Sequence, residues 1–415
     1  MWQQIKNIYH LVRAFLASAY FHFPSKKVTV IGVTGTDGKT TTAHMIYQIL
    51  KTAGKKASLI SSVYATIGNK AYDTGFHVTT PDPVALQKFL KLIVESGSEF
   101  LVLEVTSHGL DQNRVFGINF KVGVLTNITH EHLDYHNNYD NYLTAKAKLF
   151  RNVKYSILNA DDASFAKIKR LVSGKIIAYS LKKSADINLK KFPLKLAIAG
   201  EYNLSNALAA AAAVSVLDVD KKIITKALSQ FKGVVGRMEN INLGQDFEVI
   251  VDFAHTPNAL KQALATLRSK LKTKNPRLLR GFGGQAKLIA VFGAAGLRDS
   301  TKRPLMGEAA AKYADISVLT AEDPRTEKVE DICRQIASGL NKEGKKEDRD
   351  YYFVYDRSKA IQFAINLAQK DDIVATFGKS HEKSMCFGKK ESPWDEFATV
   401  KKAIKKVMAR NERKT

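Results

Sequence analysis

The residues Val28-Thr-Val-Ile-Gly-Val-Thr-Gly-Thr-Asp-Gly-Lys-Thr-Thr-Thr42 run a β-branched stretch into a glycine-spaced turn that ends on a lysine–threonine pair. That order builds a cradle for nucleotide phosphates. Backbone N–H groups of the turn face the β-phosphate, Lys39 neutralises charge between the β and γ groups, and the Thr40 hydroxyl is placed to ligate magnesium. Gly35, Thr36, Asp37, Gly38, Lys39, Thr40 and Thr41 are therefore the candidate nucleotide-binding residues. The general form of such a loop wants a glycine where this chain has Val33, with Gly32 and Gly35 instead. A βα turn with chance glycines is the bland alternative, and Gly-Lys-Thr-Thr directly after a strand argues against it.

Two further groups follow at the ends of apolar runs. Glu104 closes Leu101-Val-Leu-Glu104, which sets a carboxylate at the carboxyl edge of a sheet, where open α/β folds bind ligands and where it could share the loop's magnesium. Leu125-Thr-Asn-Ile-Thr-His-Glu-His-Leu-Asp-Tyr-His136 then gathers three histidines and two acids. Alone, such a loop is more often solvated or hydrogen-bonded structure than a metal site; its position after a strand raises the metal reading.

These groups need a frame. Strand-like runs are predicted at Val28 to Val33, Phe100 to Val105, Val122 to Asn127, Tyr155 to Asn159, Glu248 to Phe253, Leu288 to Phe292, Ile316 to Thr320, Tyr352 to Tyr355 and Ile373 to Phe377. Helical patterns fall between them, among them Thr40 to Thr52, Val84 to Glu95, Asn203 to Leu217 and Pro257 to Leu271. Such alternation predicts an α/β protein with mostly parallel sheets covered by helices. A boundary is expected near Gly233-Val-Val-Gly-Arg-Met-Glu239, and Asn275 to Gln285, with three glycines, reads as a surface loop.

The chain has 415 residues, enough for two or three domains, and its 45% hydrophobic content can fill their cores. Cys333 and Cys386 lie far apart without metal-ligand spacing, so a disulfide framework and a zinc site are not suggested and a reducing cytoplasm fits. The net charge of +24 sits largely in lysine clusters such as Lys182-Lys183 and Lys345-Lys346 without interleaved aromatics. Solvated lysine faces and anionic small substrates account for it better than nucleic acid. In the first 24 residues, Trp2, Ile5, Ile8, Val12, Phe15, Leu16 and Ala19 recur at helical spacing among Lys6, His10 and Arg13. This is an amphipathic helix and not a membrane span; it either packs on the following domain or lies on a membrane surface.

Taken in order, Thr34-Gly-Thr-Asp-Gly-Lys-Thr-Thr-Thr42, Glu104-Val-Thr-Ser-His108, Thr126-Asn-Ile-Thr-His-Glu-His-Leu-Asp134 and Ala145-Lys-Ala-Lys-Leu-Phe150 resemble the Mur ligases, the ATP-dependent amide ligases of peptidoglycan precursor synthesis. Gly200-Glu-Tyr-Asn-Leu-Ser-Asn206, Gly236-Arg-Met-Glu239, Val251-Asp-Phe-Ala-His-Thr-Pro257, Val291 to Pro304, Glu322-Asp-Pro-Arg-Thr-Glu327, Asp356 to Ile361 and Gly378-Lys-Ser-His-Glu382 extend the resemblance. These later motifs look most like the UDP-N-acetylmuramyl-tripeptide synthetase branch. The resemblance, which runs from about Val28 to the C-terminus, implies a P-loop central ATPase domain over 28–235 and a C-terminal Rossmann-like α/β domain over 236–415 that selects the amino acid; the amphipathic helix read from periodicity takes up 1–27. A monomer in the cytoplasm is expected.

What the family does assigns roles. ATP activates a carboxylate as an acyl phosphate and an amine displaces the phosphate, so anions must be brought together on two magnesium ions and lysines. By position Thr40 and Glu104 hold one ion and His132 the other, while Lys39 serves the phosphates. Lys146 matches the lysine that becomes a carbamate and so a metal-binding anion. Asn203 and Asn206 fall near the adenine, and Arg237 and Asp252 on positions that meet ATP. Thr79, Thr80, Thr106, Gln112 and Arg114 match the muramyl-peptide site. Arg298, Glu322, Asp323, Arg325, Gly378 and Glu382 match the amino-acid site. Diaminopimelate-adding members usually read Asp-Asn-Pro-Arg where this chain reads Glu322-Asp-Pro-Arg325. Arg325 favours diaminopimelate, whose extra carboxylate it can pair, and Asp323 leaves lysine open.

One departure lies at the front: about 27 residues precede the phosphate-loop strand, where full-length members carry a domain that grips uridine diphosphate. The expectation is that this clamp is absent, with the acceptor held by the remaining sites, by a partner, or lipid-linked at a membrane. The reading is a ligase that adds diaminopimelate or lysine to a UDP-N-acetylmuramoyl-L-alanyl-D-glutamate-like acceptor. The alternatives are a relative acting on a poly-amino-acid or folate, or a non-catalytic ATP-binding module; a retained Lys39, Glu104, His132 and Lys146 argue against the last.

Overall fold

The computed structural model of the protein describes residues 2–73, 79–274 and 286–412, with the side chains of residues 2–6, 274, 411 and 412 left out. The loop expected at Asn275 to Gln285 lies outside the described residues, as do the Trp2 and Ile5 side chains of the expected apolar stripe. The chain forms two compact units: residues 1–129 with 135–232, and residues 130–134 with 233–415.

The sheet of the first unit has nine strands: β1 Thr29–Thr34, β2 Ala57–Ile60, β3 Ala65–Ile67, β4 Lys70–Tyr72, β5 Phe100–Glu104, β6 Phe120–Leu125, β7 Tyr155–Asn159, β8 Lys175–Ser180 and β9 Ile187–Asn188. Their order is β4-β3-β2-β5-β1-β6-β7-β8-β9. All neighbours run parallel except at the β2-β3-β4 edge. The register pairs Val33 with Glu104 and Thr34 with Leu125, so the loop after β1 opens between the carboxyl ends of β5 and β6. Burial explains why β1 is central: Val30, Ile31 and Val33 have no exposed surface. Gly32 is bare because a Cβ there would sit 2.7 Å from Leu149 Cδ1.

Helices follow the periodicity, with boundaries shifted by a residue or two: Lys39–Thr52, Pro83–Glu95 and Glu201–Ser215. The second is capped by the Asp82 carboxylate, which accepts from the Val84 and Ala85 N–H groups, with Pro83 at its first position. The third buries Ala207 to Ala213 completely. Those small side chains let it pack closely against helix Lys39–Thr52.

The second unit repeats the plan. Its sheet joins β10 Glu239–Asn240, β11 Glu248–Asp252, β12 Leu288–Phe292, β13 Ile316–Leu319, β14 Tyr351–Phe353 and β15 Ile373–Phe377 in the order β10-β11-β15-β12-β13-β14, parallel but for β10. Alternate residues feed two cores. Leu288, Ala290 and Phe292 face one, while Ile289 and Val291 face the other, so helices cover both sides. The carboxyl ends of β11, β12, β13 and β15 carry Asp252, Gly293, Thr320 and Gly378 to one edge. A hairpin of β16 Ser384–Phe387 and β17 Lys390–Pro393 completes the unit.

Candidate active site

In the first unit the phosphate loop is fixed from β6. The Thr36 N–H donates to the Asn127 carbonyl (2.8 Å) and the Asp37 N–H to Asn127 Oδ1 (2.9 Å), while the Thr126 hydroxyl donates to the Asp37 carbonyl (2.6 Å). Gly35 and Gly38 have φ of 148° and 81°, where side chains are disfavoured. A Cβ on Gly35 would run into Thr126 Oγ1, and one on Gly38 into Asn206 Oδ1. Asn206 in turn donates to Asn203 Oδ1 (3.4 Å) and Asn203 to the Ala199 carbonyl (2.6 Å), which sets both amides beside the loop.

Lys39 begins the helix and donates to the Thr36 carbonyl (2.7 Å), curling back over the loop; Thr41 lies one residue past Thr40, buried. The Thr40 hydroxyl donates to Glu104 Oε1 (3.1 Å), and the Ser62 N–H holds the other carboxylate oxygen (3.0 Å). A hydroxyl and a carboxylate at the end of a phosphate loop are the hard oxygen donors that magnesium takes alongside phosphates, so these residues fit that ion. Among the described residues no three His, Cys, Asp or Glu side chains gather as a metal-ligand group. A cation held by Thr40 and Glu104 would need further ligands from the phosphates of a bound nucleotide.

Lys146 is almost fully buried and directed at the same loop: it donates to the Gly35 carbonyl (2.7 Å), and its ammonium stands 4.3 Å from the Tyr142 ring centroid. Tyr142 reaches Thr36 Oγ1 through its hydroxyl (3.1 Å). Against Tyr142 packs His136, 5.1 Å between ring centroids, buried within a group that includes His108 and Tyr135. Burial pushes the His136 imidazole down to about 4, with the Lys146 and Lys148 charges adding to the effect and Asp111 opposing it.

Thr80, Thr106, Gln112 and Arg114 form one hydrogen-bonded network. The Thr106 N–H donates to Thr80 Oγ1 (2.9 Å), the Arg114 guanidinium donates to the Thr80 carbonyl (2.9 Å) and to Gln112 Oε1 (2.6 Å), and Thr106 caps a short helix at the Gly109 N–H (3.0 Å). Thr79, half-buried, directly precedes it.

In the second unit Asp252 accepts from the Met238 N–H (2.7 Å) and the Ala254 N–H (2.8 Å), and the Arg237 guanidinium lies 4.5 Å over the Phe253 ring. Burial pushes the Asp252 carboxyl up against the lowering charge of Arg237. His132 adopts a left-handed φ of 57° and stands 3.9 Å from Glu131, which also accepts from Lys302 (3.1 Å).

The carboxyl edge of the second sheet gathers charge of both signs. Asp323 and Arg325 hold φ of 43° and 53° around Pro324, strained values for residues with side chains. Arg325 is tied by its N–H to the Cys386 carbonyl (3.0 Å) and by its guanidinium to the Gly296 carbonyl (2.6 Å). Lys379, fully buried, donates to Asp323 (2.8 Å) and Glu382 (2.6 Å). Burial alone would lower that ammonium, and the two carboxylates together raise it. Arg298 is lowered by burial and then by the charge of Arg325, against the acids around it. Glu322 is buried with Oε2 lacking a hydrogen-bond partner, and its carboxyl is raised to about 8 by burial, with Lys302 and Arg357 opposing. It packs on bare backbone, for a Cβ on Gly378 would collide with Glu322 Oε2.

Several residues in these sites had no role in the sequence reading. Ser62 and Asn127 act through a backbone amide and a side-chain amide whose partners are distant in sequence. Lys379 had a visible signal, its position three residues before Glu382. Arg357 pairs with Glu396 (2.6 Å), both without exposed surface, and its guanidinium holds the Ala321 and Phe377 carbonyls. Nothing in their spacing reveals that pair.

Both family-model matches and the sequence relatives point to the Mur ligases. The Mur ligase middle domain matches residues 33–214, and the Mur ligase glutamate ligase domain matches residues 236–380. The UDP-N-acetylmuramoyl-L-alanyl-D-glutamate--2,6-diaminopimelate ligase of Geobacillus thermodenitrificans is 36% identical over 94% of this chain and 82% of its own length. A UDP-N-acetylmuramyl-tripeptide synthetase of Borreliella burgdorferi is also 36% identical, over 95% of this chain and 80% of its own. A solved UDP-N-acetylmuramoyl-L-alanyl-D-glutamate--2,6-diaminopimelate ligase aligns with a TM-score of 0.57 at 30% identity, covering 92% of this chain and 79% of that one. With both domain matches and relatives of this identity across nearly its whole length, the chain belongs to the Mur ligase family, a family of ATP-dependent amide-forming ligases.

Proposed function

We propose that this protein is a cytoplasmic ATP-dependent peptide ligase of peptidoglycan precursor synthesis, adding meso-diaminopimelate or L-lysine to a UDP-N-acetylmuramoyl-L-alanyl-D-glutamate-like acceptor. The observation that carries it is the Thr40–Glu104 contact beside a glycine-shaped phosphate loop, in a chain 36% identical to a ligase of that name.

Residues 28–235 form the ATP-binding domain in this reading, residues 236–415 the domain that selects the amine, and residues 1–27 a helical extension. Lys39 swings from the Thr36 carbonyl to the γ-phosphate as the acceptor carboxylate attacks phosphorus, giving an acyl phosphate and ADP. Gly35 to Thr41 offer their N–H groups to the phosphates, and Asn203, Asn206, Arg237 and Asp252 bind the nucleotide. Thr40 and Glu104 would hold one magnesium ion, and His132 with a carbamylated Lys146 a second; bound there, they would supply positive charge against the phosphate and carboxylate oxygens. The Thr79, Thr80, Thr106, Gln112 and Arg114 group holds the acceptor. The amine enters among Arg298, Glu322, Asp323, Arg325, Gly378 and Glu382, where guanidinium groups suit its carboxylates and the acids its ammonium. Its free base attacks the acyl carbon, and inorganic phosphate leaves from the tetrahedral intermediate. The protein works as a monomer, with residues 1–24 making peripheral membrane contact.

Phosphate release with UDP-N-acetylmuramoyl-L-alanyl-D-glutamate and a panel of amines tests this. Turnover that depends on meso-diaminopimelate or lysine is expected; none with any diamino acid would sink the substrate assignment.

A further inference from the structure

Helix Trp2–Tyr20 is apolar on two faces, and the fold covers one of them. Ala14, Ala17 and Ser18 are buried, Gln87 of helix Pro83–Glu95 donates to the Ser18 hydroxyl (3.0 Å), and that hydroxyl lies 3.1 Å from the Phe116 carbonyl. The opposite face exposes Ile8 (62%), Val12 (52%), Phe15 (50%) and Leu16 (60%), a single stripe at helical spacing, with Tyr9 and Tyr20 alongside. Phe116, 40% exposed, extends the stripe beyond the helix, its ring 6.2 Å from Phe15. A helix covered on one side only would ordinarily be polar on the other, and an exposed apolar patch of this kind marks a binding surface.

The charge around the stripe selects its partner. Lys6, Arg13, Lys26 and Lys27 are the charged residues of the chain before Asp37, and none before that point is acidic. Lys26 and Lys27 stand exposed just past the helix; Arg13 is shared with Asp82 at 3.7 Å. A second copy would bring like charges together in a chain of net charge +24, whereas an anionic surface would gain from them. Among the described residues no helix is long and apolar enough to cross a membrane.

We propose that this face docks on an anionic lipid bilayer, with Ile8, Val12, Phe15, Leu16 and Phe116 at the acyl boundary and Lys26 and Lys27 on headgroup phosphates. The proposal names the partner of the peripheral contact assigned above and rests on that assignment, not on the choice of acceptor or amine.

Co-sedimentation of the full chain with phosphatidylcholine vesicles, with and without one quarter phosphatidylglycerol, tests it. Binding to the anionic vesicles that weakens with salt is expected, and Val12→Glu with Leu16→Glu should lower the bound fraction ~10-fold. Thermal melts confirm that the variant folds, and light scattering reports its mass. No binding to anionic vesicles, or equal binding by the variant, would overturn the proposal. So would a wild-type dimer that the two substitutions convert to monomer, which would assign the face to a second copy. Ligase turnover on the soluble acceptor is followed in parallel: vesicle binding without turnover would sink the acceptor reading and leave this one standing.

Discussion

Replacing Glu322 by glutamine separates the role proposed for this carboxylate toward the amine from what it costs the fold. In the folded unit its carboxyl is raised from the ordinary 4.5 to about 8, chiefly by burial. The unfolded chain releases that proton above 4.5 and the folded chain keeps it until about 8, so the group opposes folding progressively as pH rises through that window. At 1.36 kcal/mol per pH unit the full gap is worth about 5 kcal/mol, all of it lost by pH 8.5 and none of it at pH 4. Glutamine does not titrate, but its amide must occupy the place where Oε2 has no hydrogen-bond partner, a fixed cost of about 1–3 kcal/mol. The variant should therefore be less stable than the parent at pH 4.5 and more stable at pH 8.5, with the sign changing between them. Urea denaturation of both proteins at four pH values reads this directly through the midpoint and its slope. Amine KM at pH 8 should rise while ATP affinity holds. A stability difference that does not vary with pH would refute the account of Glu322.

Two further outcomes follow from the first unit. Lys146→Met should lose turnover by on the order of 1,000-fold while keeping ATP affinity, and the parent but not the variant should slow when bicarbonate is removed; a variant retaining a tenth of parental activity would exclude a catalytic lysine. His136→Phe should relieve an acid sensitivity: the parent takes up no proton at His136 until about pH 4 while its unfolded chain protonates near 6.5, so parental stability falls by about 3 kcal/mol as pH drops through that range, and denaturation at pH 4.5 should show the variant losing much less.

How much was legible follows the range of the interactions involved. Strands β1, β5, β7, β12 and β15 announce themselves as β-branched or apolar runs because they are buried on both faces. Strand β2, Ala57–Ile60, is equally buried but built from Ala, Ser, Leu and Ile, too short and too mixed to stand out. Strand β8 and the β16–β17 hairpin are partly exposed and carry lysines at their ends, so neither period shows. The phosphate loop is local and its chemistry reads directly. The Thr80–Thr106–Arg114 network is assembled by tertiary contacts, and only a family resemblance points to its residues in advance; the Lys379–Asp323 pair is likewise tertiary, and of its two members the resemblance singles out Asp323 alone.

The β16–β17 hairpin bears on whether amine choice is portable. Its Cys386 N–H donates to Asp323 (2.9 Å), and its Gly388 N–H donates to the Arg325 carbonyl (2.7 Å), so two residues in disfavoured backbone conformations are splinted from outside their own loop. Grafting Glu322-Asp-Pro-Arg325 into a relative without that splint would let the tetrapeptide relax to ordinary dihedrals and turn its side chains elsewhere. On the amine-site assignment proposed above, selectivity would be a property of loop and hairpin together, and the unit of exchange between enzymes would span Glu322–Arg325 and Ser384–Pro393, two stretches that sequence comparison alone would treat as independent.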